Sequence, residues 1–546
     1  MPSLNWIGKD AVVRHHRDVP YRLLEPVPAL SCGDPGSGNL VVQGDNLHAL
    51  KALLPRYAGQ VKCIYIDPPY NTGNEGWAYN DNVNSPEIRR WLGEVVGKEG
   101  ETLDRHDRWL CMMYPRLVLL KQFLRDDGVI FISIDDHELA NLLLVAQEIF
   151  SGRNYIEIFS WIKTETPSNL SQRTKKKTEY IVCFQRGGFE GRFNGLKRSS
   201  NSDNPLLKKQ NSIKTLVFPA GSVVTNLAGR GSMAGGTYGT RVNQVVLEDD
   251  ARFADGRFID PVRMTGRFIW TQQNLHDELA KDTEIRIKTR TMIPSYEKAS
   301  YEAEVPSNLI GAKEGVESNE SASYDIASLG LDFEYSKPES LIRYLINMVC
   351  DEESIILDSF AGSGTTAHAV LKQNAEDGGN RRFILVEMDE HIAANVTAER
   401  VKRVSRGYTN AKGEHVEGLG GGFQFCRLSA EPLFTADGQV REDVAFAQLA
   451  EFVWFSETGS GYKPRNDKSP LLGVHEGRAI YLLYNGILGD KSIDGGNVLT
   501  GPVLDVLPPH AGPRVVYAAA CRLGAPRLNR EGIVFKQTPY ALDVPP

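Results

Sequence analysis

Four short runs of β-branched and aromatic residues constrain the fold of this chain more than any other feature. They cover Val61–Ile66, 129–134, 355–357 and 383–386, and each ends in polar or turn-forming residues before a stretch with helical periodicity. Strands that alternate with helices in this way are typical of a parallel sheet, whose strands are buried on both faces. The sequence therefore predicts an α/β fold with a mostly parallel sheet.

The chain is too long for one hydrophobic core. It has 546 residues, whereas single cores stop growing near ~250 to 300 residues. The two pairs of predicted strands are separated by a long segment rich in Gly, Ser, Asn and Lys, which indicates an inserted, mostly β module. We expect five parts: an N-terminal arm (1–36), a first half of the core (37–186), the insertion (187–330), a second half of the core (331–426) and a C-terminal α/β domain (427–546).

Charge is distributed unevenly along the chain. The whole chain has 62 basic and 69 acidic residues, or -7, whereas residues 161–247 contain fourteen basic and four acidic residues, or +10. A basic segment of this kind is typical of a phosphate-binding surface, although a solvated loop often has the same charge. The segment includes Lys175, Lys176, Lys177 and Arg241, which we predict to contact nucleic acid.

The spacing of cysteines and histidines excludes other classes. The seven cysteines are odd in number and never spaced C-x2-C, and the eleven histidines show no H-E-x-x-H motif. This predicts neither a disulfide framework nor a metal site. No run of 18 apolar residues and no signal-peptide pattern occurs. We expect a cytoplasmic protein with no metal ion and no membrane segment.

A glycine turn follows one predicted strand. Residues 354–366 read SIILDSFAGSGTT, and glycines at 362 and 364 allow the backbone to approach a ligand at the start of a helix. Glu387 lies 23 residues after Gly364, where an acid can accept hydrogen bonds from ribose hydroxyls. The pattern predicts a nucleoside cofactor. It also fits the G-x-G-x-x-A pattern of NAD-binding folds through Gly362, Gly364 and Ala367.

A second motif, CIYIDPPY at residues 63–70, ends another predicted strand. Two prolines fix two φ angles and remove two amide donors, so the carbonyls beside Asp67 and Pro68 are rigid hydrogen-bond acceptors. Tyr70 adds a flat face at the carboxyl end of a strand, where α/β sheets bind ligands. An exocyclic amine stacked on Tyr70 can donate one hydrogen to the Asp67 carboxylate and one to the Pro68 carbonyl.

The two motifs, in this order, resemble those of the β-group of amino-methyltransferases. In that group the catalytic half of the fold precedes the cofactor-binding half, as a circular permutation. The closer resemblance is to the modification subunit of type III restriction-modification systems. It extends to NWIGKDAV (5–12), QGDNLHAL (43–50), RHDRWLCMMYPRL (105–117), DDGVIFISIDDHE (126–138) and EYSKPESLIRYLI (334–346).

The resemblance implies an S-adenosylmethionine-dependent methyltransferase that modifies N6 of a flipped adenine in double-stranded DNA. It assigns Asp67, Pro68, Pro69 and Tyr70 to the target base, Asp358, Phe360, Gly362 and Gly364 to the cofactor turn, Glu387 to the ribose, Lys337 and Pro338 to the methionine end, and Asp45 to the cofactor adenine. For Asp45 an equal alternative is a helix cap, because a helix is predicted to start near Leu47.

The resemblance also implies partners. It implies a homodimer and a helicase-nuclease restriction subunit. No Walker A motif occurs in this chain, so any DNA translocation or cleavage is expected to come from another chain. The insertion is expected to recognise the target sequence, with Arg241, Asn243 and Gln244 as base readers. The loop at 71–104, which contains Trp77, Tyr79 and Arg89, is a candidate to close over the flipped base.

Three alternative functions remain open from the residues alone. An N4-cytosine methyltransferase can use the same corner, although Asp67 favours adenine. An NAD-linked oxidoreductase accounts for the glycine turn but gives no role to Asp67 or to the basic segment. A non-catalytic DNA-binding or assembly subunit is the third alternative.

Overall fold

The protein divides into two compact units. The computed structural model describes residues 4–72, 103–167, 174–188, 191–195, 204–240, 243–298, 304–464, 468–490 and 496–539. The first unit comprises Met1–Phe193 and Ser307–Pro546, and the second comprises Asn194–Pro306. Among the described residues, no helix combines the length and the apolar character that crossing a membrane requires.

A ten-stranded sheet is the centre of the first unit. Its strands are β1 (Arg22–Pro26), β2 (Leu40–Gln43), β3 (Val61–Ile66), β4 (Leu124–Ile134), β5 (Tyr155–Ile162), β6 (Thr178–Gln185), β7 (Leu309–Ile310), β8 (Ile355–Asp358), β9 (Arg382–Glu387) and β10 (Gln424–Pro432), in the spatial order β1-β10-β2-β9-β8-β3-β4-β6-β5-β7. Strands β10 to β4 of this order are all parallel, whereas β1 and β6 are antiparallel to their neighbours. The predicted α/β fold with a mostly parallel sheet is confirmed.

The register shows how the two halves of the core join. Strand β8, from the second half, pairs in parallel with β3, from the first, so that Leu357 lies opposite Ile64. On its other side β8 pairs with β9. The half that contains Asp67 therefore shares one continuous sheet with the half that contains the glycine turn, although it comes first in the chain.

Helices cover both faces of this sheet. They are α1 (Lys9–Val12), α2 (His15–Asp18), α3 (Asn46–Tyr57), α4 (Leu103–Phe123), α5 (Leu139–Phe150), α6 (Asn319–Ser328), α7 (Glu339–Val349), α8 (Thr365–Asp377) and α9 (Ala398–Arg406). A short helix at Glu390–Ile392 continues through a π-helical turn, Ala393–Thr397, into α9. The apolar residues of 109–123 recur with a period close to 3.6, as in a helix that packs on a sheet, and this stretch lies within α4, with Trp109 fully buried in the core.

The last part of the chain belongs to the first unit. Helix α10 (Phe446–Thr458) places the ring of Phe452 edge-on to Tyr21, 4.7 Å between centroids. A four-stranded sheet follows, in the order Leu471–His475, Arg478–Leu482, Arg514–Ala518 and Ile533–Gln537. The remaining elements are the strand pairs Gly407–Thr409 with His415–Glu417 and Val498–Leu499 with Ala520–Cys521, and the helices Gly501–Val506 and Ala525–Arg530. The predicted boundary at residue 427 remains a prediction.

The second unit is built from β-strands around its own core. A seven-stranded sheet contains Gly231–Met233, Ala251–Ala254, Arg257–Phe258, Val223–Thr225, Glu284–Ile287, Ser295–Glu297 and Asn204–Pro205, and a four-stranded sheet contains Gly236–Gly239, Gln244–Leu247, Val262–Gly266 and Lys214–Phe218. Among the described residues of this unit, one helix, Gln272–Leu279, lies beside the sheets, and the core includes Phe218, Phe258 and Met264. Residues 215–218, a short run of β-branched and aromatic residues, lie in the strand Lys214–Phe218. The unit lies inside the range 187–330 predicted for the insertion, whose bounds remain a prediction.

Candidate active site

The carboxyl ends of four parallel strands meet at one edge of the large sheet. Asp45 follows β2 by two residues, Asp67 directly follows β3, and Asp358 and Glu387 are the last residues of β8 and β9. Parallel strands end at the same edge, so residues far apart in the chain become neighbours there. The DPPY motif and the glycine turn therefore lie side by side, as expected for two parts of one site.

Among the described residues, one oxygen of the Asp67 carboxylate accepts a hydrogen bond and the other does not. Its Oδ2 accepts a hydrogen bond from Lys337 Nζ at 2.7 Å, and the Lys337 side chain is 9% exposed. Its Oδ1 is buried and has no hydrogen-bond partner among the described residues. A buried acceptor without a donor is costly, so it indicates a place for a donor from a ligand.

The turn after Asp67 is held in place by buried side chains. Trp109 Nε1 donates to the Pro69 carbonyl at 2.7 Å. Asn71 adopts the left-handed conformation with φ of 60°, which asparagine tolerates better than most residues. Its amide donates to the buried Glu138 carboxylate and to the Arg105 carbonyl. The corner is therefore a fixed structure between strand β3 and helix α4.

Tyr70 is oriented through its hydroxyl. The hydroxyl donates to Glu179 Oε2 at 3.1 Å, and Lys337 Nζ lies 5.0 Å from the ring centroid. Burial raises the pKa of Tyr70 well above its ordinary value, and the carboxylates of Asp67 and Glu179 act in the same direction. The hydroxyl therefore stays protonated and serves as a donor that fixes the ring.

Two charged residues that the sequence did not single out complete this cluster. Glu179 is the second residue of β6. Its carboxylate lies 2.9 Å from Lys163 Nζ and 3.6 Å from Lys337 Nζ. Burial acts to raise the pKa of Glu179, but the two ammonium groups outweigh it, so the pKa lies below its ordinary value. Burial acts to lower the pKa of Lys337, but Asp67 and Glu179 outweigh it and raise that pKa. Glu179 and Lys337 are therefore both charged at neutral pH.

The glycine turn is tied together by Asp358. Its Oδ1 accepts from the Phe360 amide at 3.0 Å and its Oδ2 from Thr366 Oγ1 at 2.6 Å. Burial is the main cause that raises the pKa of Asp358 to about 7, with smaller contributions from Asp67 and Glu387. The carboxyl group therefore connects the start of the turn to the first turn of α8.

Both glycines of the turn are required by its backbone. Gly362 and Gly364 have φ of 49° and 78°, which most residues with a side chain rarely adopt. A Cβ at 364 would lie 3.2 Å from Thr397 Cγ2. The Gly362 amide donates to Glu387 Oε2 at 2.8 Å, and the Asp389 amide donates to Glu387 Oε1 at 3.0 Å. Burial raises the pKa of Glu387.

These residues fit a nucleoside cofactor. The buried hydroxyl of Ser359 in the turn has no hydrogen-bond partner among the described residues. Each Glu387 oxygen is engaged with one backbone amide, and a carboxylate has about four lone-pair sites in total. The remaining sites are available to ribose hydroxyls. A Cβ at 362 would lie 3.2 Å from the ring of Phe333, so the absence of a side chain there lets this ring pack against the turn.

The segment that contains Lys337 and Pro338 is packed against the same turn. Pro338 precedes α7 as its cap residue, and the Lys337 carbonyl accepts from Thr365 Oγ1 at 3.3 Å. Arg400, which the sequence did not single out, donates to Ser363 Oγ at 2.9 Å and to Thr365 Oγ1 at 2.7 Å. Burial lowers the pKa of Arg400 to about 10. The role of Lys337 and Pro338 at the methionine end remains a prediction.

Asp45 caps helix α3, which is the alternative that the sequence left open. Its carboxylate accepts from the His48 amide at 3.0 Å and lies 3.5 Å from Arg116 Nη2. Arg116 is buried and also donates to the side chain of Asn46, the first residue of the helix. A contact with the cofactor adenine remains a prediction for Asp45.

The described residues among those predicted to bind DNA are exposed or partly exposed. Lys176 is paired with Asp136 at 2.6 Å and Lys177 with Glu165 at 3.3 Å, and all four side chains are about half exposed or more. Exposed pairs of this kind contribute little stability, so the lysines can exchange their partners for phosphates. Gln244 is exposed on its strand in the second unit and Asn243 is partly exposed.

Several predicted residues fall outside the described residues. They are Arg241 and the aromatic and basic residues of the loop, Trp77, Tyr79 and Arg89. Asp135, Asp136 and His137 form the one group of possible metal ligands found among the described residues, with ligand atoms within 4.8 Å of one another. Asp136 is paired there with Lys176, and Asp135 with His137 at 2.7 Å. That the chain holds no metal remains a prediction.

Comparison with known proteins identifies the family. The model of a family described as DNA methylase, N6_N4_Mtase, matches residues 61–399, which include Asp67, Asp358 and Glu387. The chain is 32% identical over 418 residues to the StyLTI Mod subunit, a type III restriction-modification enzyme of Salmonella typhimurium. It is 31% identical over 443 residues to the EcoPI Mod subunit of Escherichia phage P1 and 24% identical over 442 residues to the type II methyltransferase M.KpnI of Klebsiella pneumoniae.

The extent of these matches differs. They cover 73%, 71% and 72% of this chain, and 60%, 64% and 94% of the three relatives respectively. The chain thus spans less than two thirds of the length of the two Mod subunits. The match to the family is nevertheless more than half of the chain and contains both motifs, and the NAD-linked oxidoreductase has no comparable support. Members of the family use S-adenosylmethionine. The chain belongs to the N6_N4_Mtase family of DNA methylases.

Proposed function

We propose that this protein transfers a methyl group from S-adenosylmethionine to N6 of an adenine that has been flipped out of double-stranded DNA. The observation that carries the proposal is the Asp67 carboxylate, with Oδ2 anchored by Lys337 and a buried, unpartnered Oδ1 beside Tyr70. An exocyclic amine supplies the donor that this oxygen lacks. The relatives named as modification subunits and the family match support the same reaction.

Asp67 and Pro68 act as acceptors for the target amine. The N6 lone pair of adenine is delocalised into the ring, so the amine is a poor nucleophile. Hydrogen bonds from N6 to Asp67 Oδ1 and to the Pro68 carbonyl favour the arrangement in which this lone pair points away from the ring plane. Because the corner is already rigid, little reorganisation is needed when the base arrives.

Tyr70 holds the flipped base by stacking. Extruding a base from a duplex costs a few kcal/mol, and a base stacked on an aromatic ring regains about 1 to 3 kcal/mol. The ring is fixed by its hydroxyl bond to Glu179. It therefore offers a fixed stacking surface next to Asp67.

The second half of the core holds the cofactor. When bound, S-adenosylmethionine supplies a methyl group on an activated leaving group. Glu387 would bind the ribose, and the turn at Asp358, Phe360, Gly362 and Gly364 would hold the nucleoside against the start of α8. Lys337 and Pro338 would lie at the methionine end, beside the turn that their backbone already contacts.

The remaining parts of the chain serve recognition and assembly in this proposal. The second unit reads the target sequence, with Arg241, Asn243 and Gln244 at base edges, and Lys175, Lys176 and Lys177 contact phosphates. The protein works in the cytoplasm as a homodimeric modification subunit with a helicase-nuclease restriction subunit. Relatives named as Mod subunits of type III restriction-modification enzymes support a further subunit, and the homodimer has no such support.

A mass measurement of the product tests the proposal. The purified protein is incubated with mixed-sequence duplex DNA and cofactor with a deuterated methyl group, and the nucleosides are analysed by mass spectrometry. Labelled N6-methyladenine is the expected product. Labelled N4-methylcytosine would show instead that cytosine is the substrate. DNA binding without any labelled nucleoside would favour a non-catalytic subunit.

A further inference from the structure

Glu179 contacts both parts of the proposed base site. Its side chain is 8% exposed and lies at the start of β6. It accepts the Tyr70 hydroxyl at 3.1 Å and lies 3.6 Å from Lys337 Nζ, which in turn donates to Asp67 at 2.7 Å. One carboxylate therefore connects the stacking ring and, through Lys337, the acceptor of the amine.

The cluster is balanced in charge. It contains the carboxylates of Asp67 and Glu179 and the ammonium groups of Lys337 and Lys163. A buried ammonium group needs compensating charge, and the pKa of Lys337 is raised because both carboxylates together outweigh its burial. Glu179 thus shares Lys337 with Asp67.

This sharing has a consequence for Asp67 Oδ1. Lys337 has three donors and binds Asp67 through Oδ2, on the side where Glu179 also attracts it. Without the charge of Glu179, Asp67 is the sole carboxylate that attracts Lys337 in this cluster. The ammonium group of Lys337 then interacts with both Asp67 oxygens. It therefore occupies the position beside Oδ1 where the amine of the target base would bind. The Tyr70 hydroxyl at the same time loses its charged acceptor and keeps at most a weaker, neutral one.

We propose that Glu179 is a positioning residue for methyl transfer, which keeps Lys337 on Oδ2 of Asp67 and fixes the ring of Tyr70. The inference rests on the proposed function, because it concerns the acceptor and the ring that hold the target base. It assigns a role to a residue that does not itself touch the base. Its effect should therefore appear in the rate of the chemical step more than in DNA binding.

The chain provides a matched control for this role. Glu457 is a carboxylate of which 4% is exposed, and it accepts the Tyr517 hydroxyl at 2.7 Å and Lys536 Nζ at 2.6 Å. Lys536 Nζ lies 5.4 Å from the Tyr517 ring centroid. Arg478 Nη1 also lies 2.9 Å from Glu457. Glu457, like Glu179, is therefore a buried carboxylate between a Tyr hydroxyl and two cations, but it lies in the C-terminal part of the chain.

The test compares Glu179→Gln with Glu457→Gln. Thermal unfolding, the Kd for DNA and the single-turnover rate of N6 methylation are measured for both variants and for the wild type. We expect the rate of Glu179→Gln to fall by about 10- to 100-fold, the range for misplacement of a reacting group, with the Kd for DNA changed by less than about threefold. We expect Glu457→Gln to lower thermal stability by a similar amount and to keep the wild-type rate.

Each other outcome overturns the inference. A wild-type rate in folded Glu179→Gln excludes the role, and an equal loss of rate in both variants means that the effect is one of general stability. If Glu179→Gln does not fold, Tyr70→Phe decides, since it removes only the hydroxyl contact and should slow transfer about fivefold or more if the ring must be held. An unaltered rate there is again a refutation. A wild type that methylates no adenine refutes the proposed function itself, which separates that failure from the failure of the role of Glu179.

Discussion

Replacement of Asp358 by asparagine should change how the stability of the protein depends on pH. Asp358 is 3% exposed, and its pKa is raised from 3.8 to about 7, mainly by burial. The folded state therefore binds a proton more tightly than the unfolded state does. The resulting stabilisation is fully present below the unfolded pKa and is lost as the pH rises through the folded pKa.

The size of the effect follows from these two values. At 1.36 kcal/mol per pKa unit the full range is about 4 kcal/mol, of which about 3 kcal/mol falls between pH 5 and pH 8. Asparagine keeps an acceptor for the Phe360 amide but does not titrate. The free energy of unfolding of the wild type, relative to Asp358→Asn, should therefore decrease by about 3 kcal/mol from pH 5 to pH 8.

Urea unfolding of both proteins at pH 5, 6, 7 and 8 measures this difference, because all other titrating groups are common to the two. Asp127 provides a control whose contribution stays constant over this range. Burial acts to raise its pKa, but Lys62 and Arg125 outweigh it and lower that pKa, so its contribution is lost only as the pH falls below the ordinary value of 3.8. A wild-type curve parallel to that of Asp358→Asn over this range would refute the assignment of a raised pKa to Asp358.

Three further predictions concern the site and its partners. Trp109→Phe leaves the Pro69 carbonyl without its donor and should lower the free energy of unfolding by about 1 to 3 kcal/mol and slow methyl transfer; urea unfolding and single-turnover rates check both. Glu387→Gln should weaken cofactor binding by about 1.5 to 3 kcal/mol, and an unchanged Kd by calorimetry would limit this residue to holding the turn. Replacing the three lysines at 175–177 by alanine should weaken binding to cognate and random duplexes alike. It should also reduce the slope of log affinity against log salt concentration by about 0.9 for each lost phosphate contact. An unchanged slope would mean that these lysines contact only solvent.

Local features of the fold could be predicted from the sequence because they depend on neighbouring residues. Strand β3 has the bounds Val61–Ile66 that its run of apolar residues predicts. The helix pattern at 109–123 lies within α4, and the glycines at 362 and 364 adopt the left-handed conformation expected of the turn. Periodicity and turn chemistry determine such features over a few residues.

The contacts that organise the site could not be predicted in the same way. Lys337 and Asp67 are 270 residues apart in the chain, and they meet only because β3 and β8 are adjacent in the sheet. Glu179 and Lys163 contribute to the local count of charges in the basic segment, and nothing in that count distinguishes them from solvated residues. The one signal in the sequence that could have indicated Glu179 is a charged residue at the start of the otherwise apolar strand β6.

Asp45 shows how one residue type in one pattern supports two interpretations. An aspartate before a predicted helix is an ordinary N-cap, whereas the resemblance implies that the same residue contacts the cofactor. The structure gives the cap, with the His48 amide as donor. The carboxylate also lies near Arg116, a contact between α4 and the start of α3 that the sequence does not reveal.

The proposed reaction requires that the N6 amine of adenine donates a hydrogen bond to Asp67 while it is methylated. Sequencing of modified bases tests it most directly, in DNA from a host without its own adenine methyltransferases that expresses either the wild-type chain or Asp67→Ala. We expect N6-methyladenine at one short recognition sequence with the wild type. We expect none with Asp67→Ala when the two proteins are expressed in equal amounts. Methylation of cytosine N4 by the wild type, or N6 methylation that persists with Asp67→Ala, would contradict it.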